Sequence, residues 1–201
     1  MCLRVDRQVP DTMRMDTQDY LANQFLIAMP ELADLNFART VTYICEHTDE
    51  GAMGVVINRP ADIPLKEVLI HLDLETDDET IAEFPVYAGG PVQPDRGFVL
   101  HEPLGDWDAT LKVTEQIGIT ASRDILAAIT KGEGPERKLI TLGYAGWGAG
   151  QLETEMVNNA WLSGPADQAI VFELPPDKRW RSAAALMGVD LNRLSSEAGH
   201  A

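Results

Sequence analysis

Hydrophobic positions along the chain fall either into short continuous runs or into runs spaced every three or four residues. The continuous runs at 25–30, 40–45 and 53–58 predict strands, since they are short and rich in β-branched and aromatic residues. A polar segment containing Gly51 separates the second run from the third, which predicts a β-hairpin. Because both runs are apolar at nearly every position, we expect both faces of this hairpin to be covered.

Three further segments have the spacing of amphipathic helices. Residues 63–74 repeat leucine or valine every three or four positions, and Pro64 suits the first turn of a helix. Residues 121–131 have the same spacing and are followed by Gly132, a helix stop. A last helix is predicted over 176–188, where it closes at a glycine.

The remaining segments complete the prediction of the fold class. A loop is predicted at 75–83, a short helix at 150–159 and a turn at 163–165. Strands are predicted at 85–92, 96–102, 110–120, 137–147 and 169–174. Some of the predicted strands follow one another as pairs, and others are separated by helices. This order favours an α+β domain with a mixed sheet over a doubly wound parallel sheet.

The length and composition fit one globular domain. The chain has 201 residues, 45% of them hydrophobic, and a domain of this size buries roughly 70% of the surface of its unfolded chain. Residues 1–18 lack periodicity, so they predict a flexible N-terminal extension to a domain at 19–201. Met1, Met13 and Met15 remain alternative starts.

The charge and the cysteines restrict the partners and the compartment. With 16 basic and 32 acidic residues, the formal net charge is −16, which repels nucleic acid at long range. The basic segment 178–181 is interpreted as solvated charges at a helix start. Two cysteines, no signal-like N-terminal run and no apolar stretch long enough to cross a membrane predict a cytosolic protein that does not bind membranes.

Four stretches together resemble the AlgH/YqgE family of bacterial proteins. They are "FLIAMPEL", "TVTYICEHTDEGAMGVVINRP", "VYAGGPVQPDRGFVLH" and "LGYAGWGAGQLETEMVNNAWL", in the family's order and spacing. The resemblance extends from Leu21 to Ala201, with Leu35 at a position where the family often has proline. It implies an α+β fold whose bifurcated sheet curls into a pseudo-barrel flanked by short helices. The family's label as transcriptional regulators implies a regulatory role, and no catalytic residues carry over.

The glycine-rich segment 142–150 predicts a structural corner rather than a phosphate site. It lacks both common phosphate-loop patterns. The helix that follows carries Glu153 and Glu155 in its predicted first turn, where carboxylates neutralise the free amides and repel phosphate. Tyr144 and Trp147 stand beside glycines too small to bury them fully, so they are candidates for contact with a partner, but core packing is favoured for both.

Histidines at strand ends are the candidates for acid–base or metal chemistry. His47 and His101 could meet in space, with Cys45 or Glu102 as partners. The chain has none of the sequence patterns of zinc proteases, zinc clusters, calcium loops or serine hydrolases. Structural hydrogen bonding is therefore favoured for both histidines, and burial for Cys45.

Arg59 and Arg96 are loop cations that either pair with carboxylates, which is favoured, or select an anionic ligand. The candidate surface for a ligand or partner combines Arg59, Gly89, Gly90, Arg96, His101, Tyr144, Trp147 and Gly148. We expect a non-enzymatic protein that binds a protein or a small molecule and uses no cofactor or metal. The alternative is an enzyme that hydrolyses or transfers an anionic metabolite, with the arginines binding charge and His47 or His101 moving protons.

Overall fold

The computed structural model describes residues 21–191, and the flexible extension predicted for residues 1–18 lies outside this range. Within the range, the strands are β1 (Gln24–Ala28), β2 (Val41–Thr48), β3 (Gly51–Val56), β4 (Pro60–Pro64), β5 (Pro85–Ala88), β6 (Val92–Glu102), β7 (Thr110–Lys112), β8 (Gly118–Thr120), β9 (Arg137–Gly148) and β10 (Trp161–Pro165). The helices are α1 (Leu65–His71), α2 (Glu79–Ala82), α3 (Arg123–Thr130), α4 (Gln151–Val157), α5 (Gln168–Phe172) and α6 (Pro176–Leu186).

The predicted hairpin forms from β2 and β3, which pair antiparallel and turn just before Gly51. Tyr43 and Cys45 point into one core cluster, whereas Ile44, between them, lies in another. Consecutive residues of a strand point to opposite faces, so the continuous apolar run has a core on each side. The prediction that both faces of the hairpin are covered is confirmed.

Strand β9 is shared by the two halves of the sheet. Its first half pairs antiparallel with β6 and parallel with β5, while its second half pairs antiparallel with β3. Gly143, with a φ of 70°, lies between the two halves. The strand order is β10–β1–β2–β3–β9–β6–β8–β7, with β5 and β4 branching from β9. The sheet therefore divides at β9 and curls into a half-barrel, which confirms the α+β fold with a mixed, bifurcated sheet.

Helices cover both faces of this sheet. Residues of α5 and α6 pack in one core cluster with Tyr43 and Leu100. Residues of α1 and α3 pack in another, with Val99 and Ile140. Because Val99 and Leu100 are neighbours on β6, the two helix pairs must lie on opposite faces of that strand.

Two predictions between residues 163 and 174 are wrong. Residues 163–165, where a turn is predicted, belong to β10, which pairs antiparallel with β1 along its whole length. Residues 169–174, predicted as a strand, lie mostly in α5, whose first turn is capped by Asp167 accepting a hydrogen bond from the Ile170 N–H. A short apolar run fits a buried strand or a buried helix equally well. Which of the two forms depends on whether the segment has a helix cap or a neighbouring strand to pair with.

Two other segments differ from the prediction in detail. The predicted loop at 75–83 contains α2, a single turn capped by the Asp78 carboxylate, which accepts a hydrogen bond from the Thr80 N–H. The predicted extended segment 110–120 is divided by a turn into the antiparallel strands β7 and β8.

Candidate functional site

Gly89 and Gly90 lie where β3, β5 and β9 converge. The Gly89 N–H donates to the Leu142 carbonyl and its own carbonyl accepts from the Val56 N–H, both at 2.8 Å. A Cβ on Gly90, whose φ is +153°, would lie 2.2 Å from the carbonyl carbon of Tyr144. The approach of the strands therefore requires glycine at this crossing, which gives both residues an architectural role.

The guanidinium of Arg59 is held by the loop before β2. It donates hydrogen bonds to the carbonyl oxygens of Leu35, Asn36 and Ala38, at 3.0, 2.7 and 3.3 Å. Within residues 21–191 these partners are neutral, so the predicted pairing with carboxylates is wrong for this arginine. Most of its donors serve to order the loop rather than to bind a ligand.

An aromatic cluster lies under α4. Trp147 is only 6% exposed, and its ring centroid lies 6.1 Å from that of Phe37 and 6.0 Å from that of Trp161. The indole N–H groups of both tryptophans donate to Oε2 of Glu155, at 3.0 and 2.8 Å. Core packing, the interpretation favoured for Trp147, is confirmed, because aromatic rings distant in sequence bury it.

The strand-to-helix corner predicted after β9 is confirmed. Gly150, with a φ of 71°, is the N-cap of α4. Glu153 lies in the first turn, and Oε1 of Glu153 is 2.7 Å from Nε2 of His47. A hydrogen bond from its own backbone N–H, and then the contact with His47, lower the pKa of Glu153. Glu155 lies beyond the first turn, so the prediction that it neutralises the helix terminus is wrong.

His101 is fully buried towards the end of β6. Its Nδ1 lies 2.9 Å from the Pro103 carbonyl, which can only accept, so Nδ1 carries the proton of the neutral ring. Nε2 then accepts from the Thr120 hydroxyl at 2.8 Å. Burial lowers the pKa of His101, although the bond to Pro103 opposes this effect. The arrangement is that of a neutral structural histidine.

The side chains proposed for the alternative enzyme lie in different parts of the fold. His47, on β2, meets Glu153 beside α4, while His101 lies on β6, three places from β2 in the strand order. Arg59 binds the loop before β2. Between residues 21 and 191, no three or more His, Cys, Asp or Glu side chains are grouped so that they could hold a metal ion. Cys45 is buried, and burial raises the pKa of its thiol.

Arg179, in the basic segment 178–181, is buried rather than solvated. It is 4% exposed, and it donates hydrogen bonds to the carbonyl oxygens of Leu174, at 2.8 Å, and Ile57. Its guanidinium lies over the ring of Tyr87. Burial lowers the pKa of Arg179. The prediction of solvated charge is wrong for this residue, because the guanidinium ties α6 to the end of β3.

A cavity of about 530 Å³ lies between β6 and the start of α3. This volume is in the range of small-molecule sites in proteins. Its wall combines apolar side chains with two arginines and includes Leu72, Arg96, Gly97, Ala121, Arg123 and Leu126. We call it the β6–α3 cavity.

Gly97 stands in this wall without any steric reason to be glycine. A Cβ at this position would meet no atom within 4 Å, and its φ lies outside the left-handed region. Glycine in a strand costs about 0.5–1 kcal/mol relative to alanine. A glycine in a strand also marks places where a ligand approaches the backbone closely. Here its missing side chain keeps the wall of the β6–α3 cavity open.

The two arginines of the cavity are held by neutral groups. Arg123 donates from Nε to the Leu72 carbonyl and from Nη2 to the Asp73 carbonyl, both at 2.9 Å. Arg96 donates to the side-chain oxygen of Gln93 at 3.2 Å, and its guanidinium carbon lies 5.4 Å from the centroid of the Phe98 ring.

Of the predicted surface residues, Arg96 lines this cavity. Gly97 and Arg123 were not predicted, since the first ends the turn motif "QPDRG" and the second begins a helix. The available signal was a glycine inside a strand pattern, "RGFVLHE", which fits a close backbone approach as well as a turn.

Comparison with known proteins places the chain in a family. Residues 25–192 match the DUF179 family, described as AlgH-like, and the chain belongs to this family. A UPF0301 protein from Nitrosococcus oceani is 58% identical over 187 residues, which cover 93% of this chain and 100% of that protein. A UPF0301 protein from Thioalkalivibrio sulfidiphilus has the same identity and coverage. The predicted resemblance to the AlgH/YqgE family is confirmed.

Solved structures agree with this assignment. The solution structure of the AlgH protein from Pseudomonas aeruginosa matches with a TM-score of 0.77 and 52% identity, over 94% of this chain and 100% of that one. A crystal structure of a Corynebacterium diphtheriae protein matches with a TM-score of 0.68 at 20% identity, over 90% of this chain and 95% of that one, and shows the shared fold. None of the helices formed by residues 21–191 is long and apolar enough to cross a membrane.

Proposed function

We propose that this protein is a non-enzymatic binding protein whose ligand occupies the β6–α3 cavity. The observation that carries the proposal is Gly97, a glycine in the cavity wall that neither crowding nor backbone conformation requires. Its cost to the strand is offset if an open wall is needed for a ligand.

The side chains of the cavity support binding rather than turnover. Its lining contains no histidine, cysteine or lysine. The Ser122 hydroxyl, which also lines it, donates to Asp124 and accepts from the Ala109 N–H. A serine nucleophile needs an adjacent base that takes its proton. Burial alone would raise the pKa of Asp124, but hydrogen bonds from Ser122 and from backbone N–H groups lower it, so this carboxylate is a poor base for the Ser122 hydroxyl.

A regulatory role, as the family label implies, is compatible with ligand binding. Because the net charge of −16 repels DNA, a protein is the better candidate for the partner that a regulatory protein of this kind would contact. The cytosolic location predicted from the sequence is retained in this proposal, and fractionation of the native cells checks it.

The test fills the cavity and measures the binding of a fluorescent probe. The probe is 8-anilinonaphthalene-1-sulfonate, and the variant is Gly97→Leu. We expect binding at least roughly 10-fold weaker, since crowding by one side chain costs about 1–3 kcal/mol. The matched control is Gly148→Leu on β9, where a Cβ meets only a side-chain atom at 3.9 Å. Equal probe affinity of Gly97→Leu and the wild type would reject the cavity as the ligand site.

A further inference from the structure

We infer that the ligand of the β6–α3 cavity is a small organic acid, with a carboxylate held by Arg123 and an apolar body. This inference rests on the proposed binding function and adds the chemical class of the ligand. It depends on the charge of the cavity, the free donors of one guanidinium and the apolar part of the wall.

The arginines of the cavity form no ion pairs in the part of the chain that the structure describes. The chain has twice as many acidic as basic residues, yet among residues 21–191 neither Arg96 nor Arg123 forms an ion pair. Asp95 also lines the cavity but makes no such pair. The nearby Asp124 carboxylate accepts hydrogen bonds from Ser122 and from backbone N–H groups. With two arginines and one carboxylate in its lining, the cavity offers an anion a net positive charge.

Arg123, which lines the cavity, keeps enough free donors for two-point binding of a carboxylate. Its Nε and one Nη2 proton are used by the carbonyls of Leu72 and Asp73, at the end of α1. A guanidinium has five N–H donors, so both protons of Nη1 and one of Nη2 remain. These donors form the edge that binds a carboxylate in bidentate geometry. Because the carbonyls already fix the side chain, binding costs less rotamer entropy than it would for a free arginine.

The rest of the wall suits an apolar body. Leu72, Ala121 and Leu126 line the cavity beside the arginines. Arginine binds phosphate as well as carboxylate, so the charge alone does not separate these ligands. The apolar side chains of the lining favour an amphipathic carboxylate over inorganic phosphate or a nucleotide.

The experiment compares three probes that separate charge from apolar contact. Octanoate carries both features, 1-octanol carries only the apolar chain, and inorganic phosphate carries only charge. We expect octanoate to bind the wild type roughly 10-fold or more tightly than 1-octanol, as measured by titration calorimetry or amide chemical shifts. Phosphate should bind more weakly than octanoate.

The variants test which side chain holds the carboxylate. Arg123→Met should weaken octanoate binding by about 10- to 100-fold and leave 1-octanol binding unchanged. Arg123→Lys keeps the charge but loses the forked edge, so its affinity for octanoate should lie between those of the wild type and Arg123→Met.

Lys178→Met, on the surface of α6, removes the same charge elsewhere and should leave octanoate binding unchanged. Because Arg123 also binds the end of α1, circular dichroism must show that each variant is folded, and Arg96→Met gives a second charge deletion that leaves this contact intact.

The outcomes distinguish the inference from the function on which it rests. If octanoate and 1-octanol bind equally and Gly97→Leu abolishes both, the cavity binds ligands but the assignment of a carboxylate is overturned. Tighter binding of phosphate than of octanoate would overturn it in favour of a phosphate ligand. If no probe binds, or if Gly97→Leu has no effect on any of them, the proposed function fails as well.

Discussion

Two regions of this molecule contain glycines that look alike in the sequence and differ in the fold. At the strand crossing, a side chain on Gly90 would collide with the Tyr144 carbonyl, and Gly143 has a positive φ. In the wall of the β6–α3 cavity, a side chain on Gly97 would touch nothing within 4 Å. The glycines of the crossing are explained by the architecture, and the glycine of the cavity is not. A dense run of glycines therefore marks the strand crossing and the corner, whereas the glycine of the candidate site is distinguished by lining a cavity without a steric need for glycine.

The largest effect on stability is expected from a glycine-to-alanine substitution at the strand crossing. Gly90→Ala places a Cβ against backbone and strains φ, so we expect it to lower the free energy of unfolding by about 4 kcal/mol or more. Gly97→Ala should instead raise it by about 0.5–1 kcal/mol, because alanine fits there and restricts the unfolded chain. Urea denaturation of both variants measures the difference. Similar effects of the two substitutions would remove the distinction between the regions.

A smaller loss of stability is expected from a substitution in the aromatic cluster under α4. Glu155→Ala leaves two indole N–H groups without their acceptor, which should cost about 2–4 kcal/mol of stability. The exposed Glu50 in the hairpin turn is the matched control, and Glu50→Ala should change stability by less than about 0.5 kcal/mol. Urea denaturation, followed by tryptophan fluorescence, reports both. The affinity of Glu155→Ala for 8-anilinonaphthalene-1-sulfonate should equal that of the wild type. If the folded variant no longer bound this probe, the strand-to-helix corner would be part of the ligand site.

The smallest expected effect is a pH dependence of stability caused by His101, which is buried towards the end of β6. The pKa of His101 is lowered in the fold, so the unfolded chain takes up a proton first as the pH falls through about 6.5. The free energy of unfolding should therefore decrease on acidification below this pH, by at most about 1.4 kcal/mol per pH unit, and be unaffected by this group at higher pH.

Denaturation curves between pH 5 and 8 for the wild type and His101→Gln isolate this contribution. The difference in stability between the two proteins should shrink as the pH falls, while octanoate binding at the other end of β6 keeps the wild-type pH profile. A constant difference over this range would show that His101 does not titrate differently in the folded and unfolded states.

Much of the fold could be predicted because it is encoded locally. The β2–β3 hairpin has two apolar runs around a turn, and α3 and α6 have helical spacing followed by glycines with φ of 73° and 74° at 132 and 188. Where the local signal was ambiguous, prediction failed. The strand β10 exists because β1 pairs with it, and the apolar run at 169–174 could not reveal that an Asp167 cap makes it helical.

The candidate site was predicted only in part, because its residues come from separate segments. Arg96 was identified as a loop cation that either pairs with carboxylates or selects an anion, and it lines the cavity. Arg123 looked like an ordinary helix start, and its partners at the end of α1 are 50 and 51 residues away in the sequence. The burial of Arg179 was likewise invisible, since a residue far along the chain, Ile57, takes part in it.

The sequence by itself determined the family, the α+β class, the hairpin and the helix stops, since these follow from several long motifs, from hydrophobic periodicity and from glycines at helix ends. Only the tertiary structure decided which glycines are crowded and which are not, and which arginines keep donors for a ligand. The physical reason is that steric contact and hydrogen-bond saturation depend on atoms brought together from different strands and helices, and no local pattern of residues records their distances.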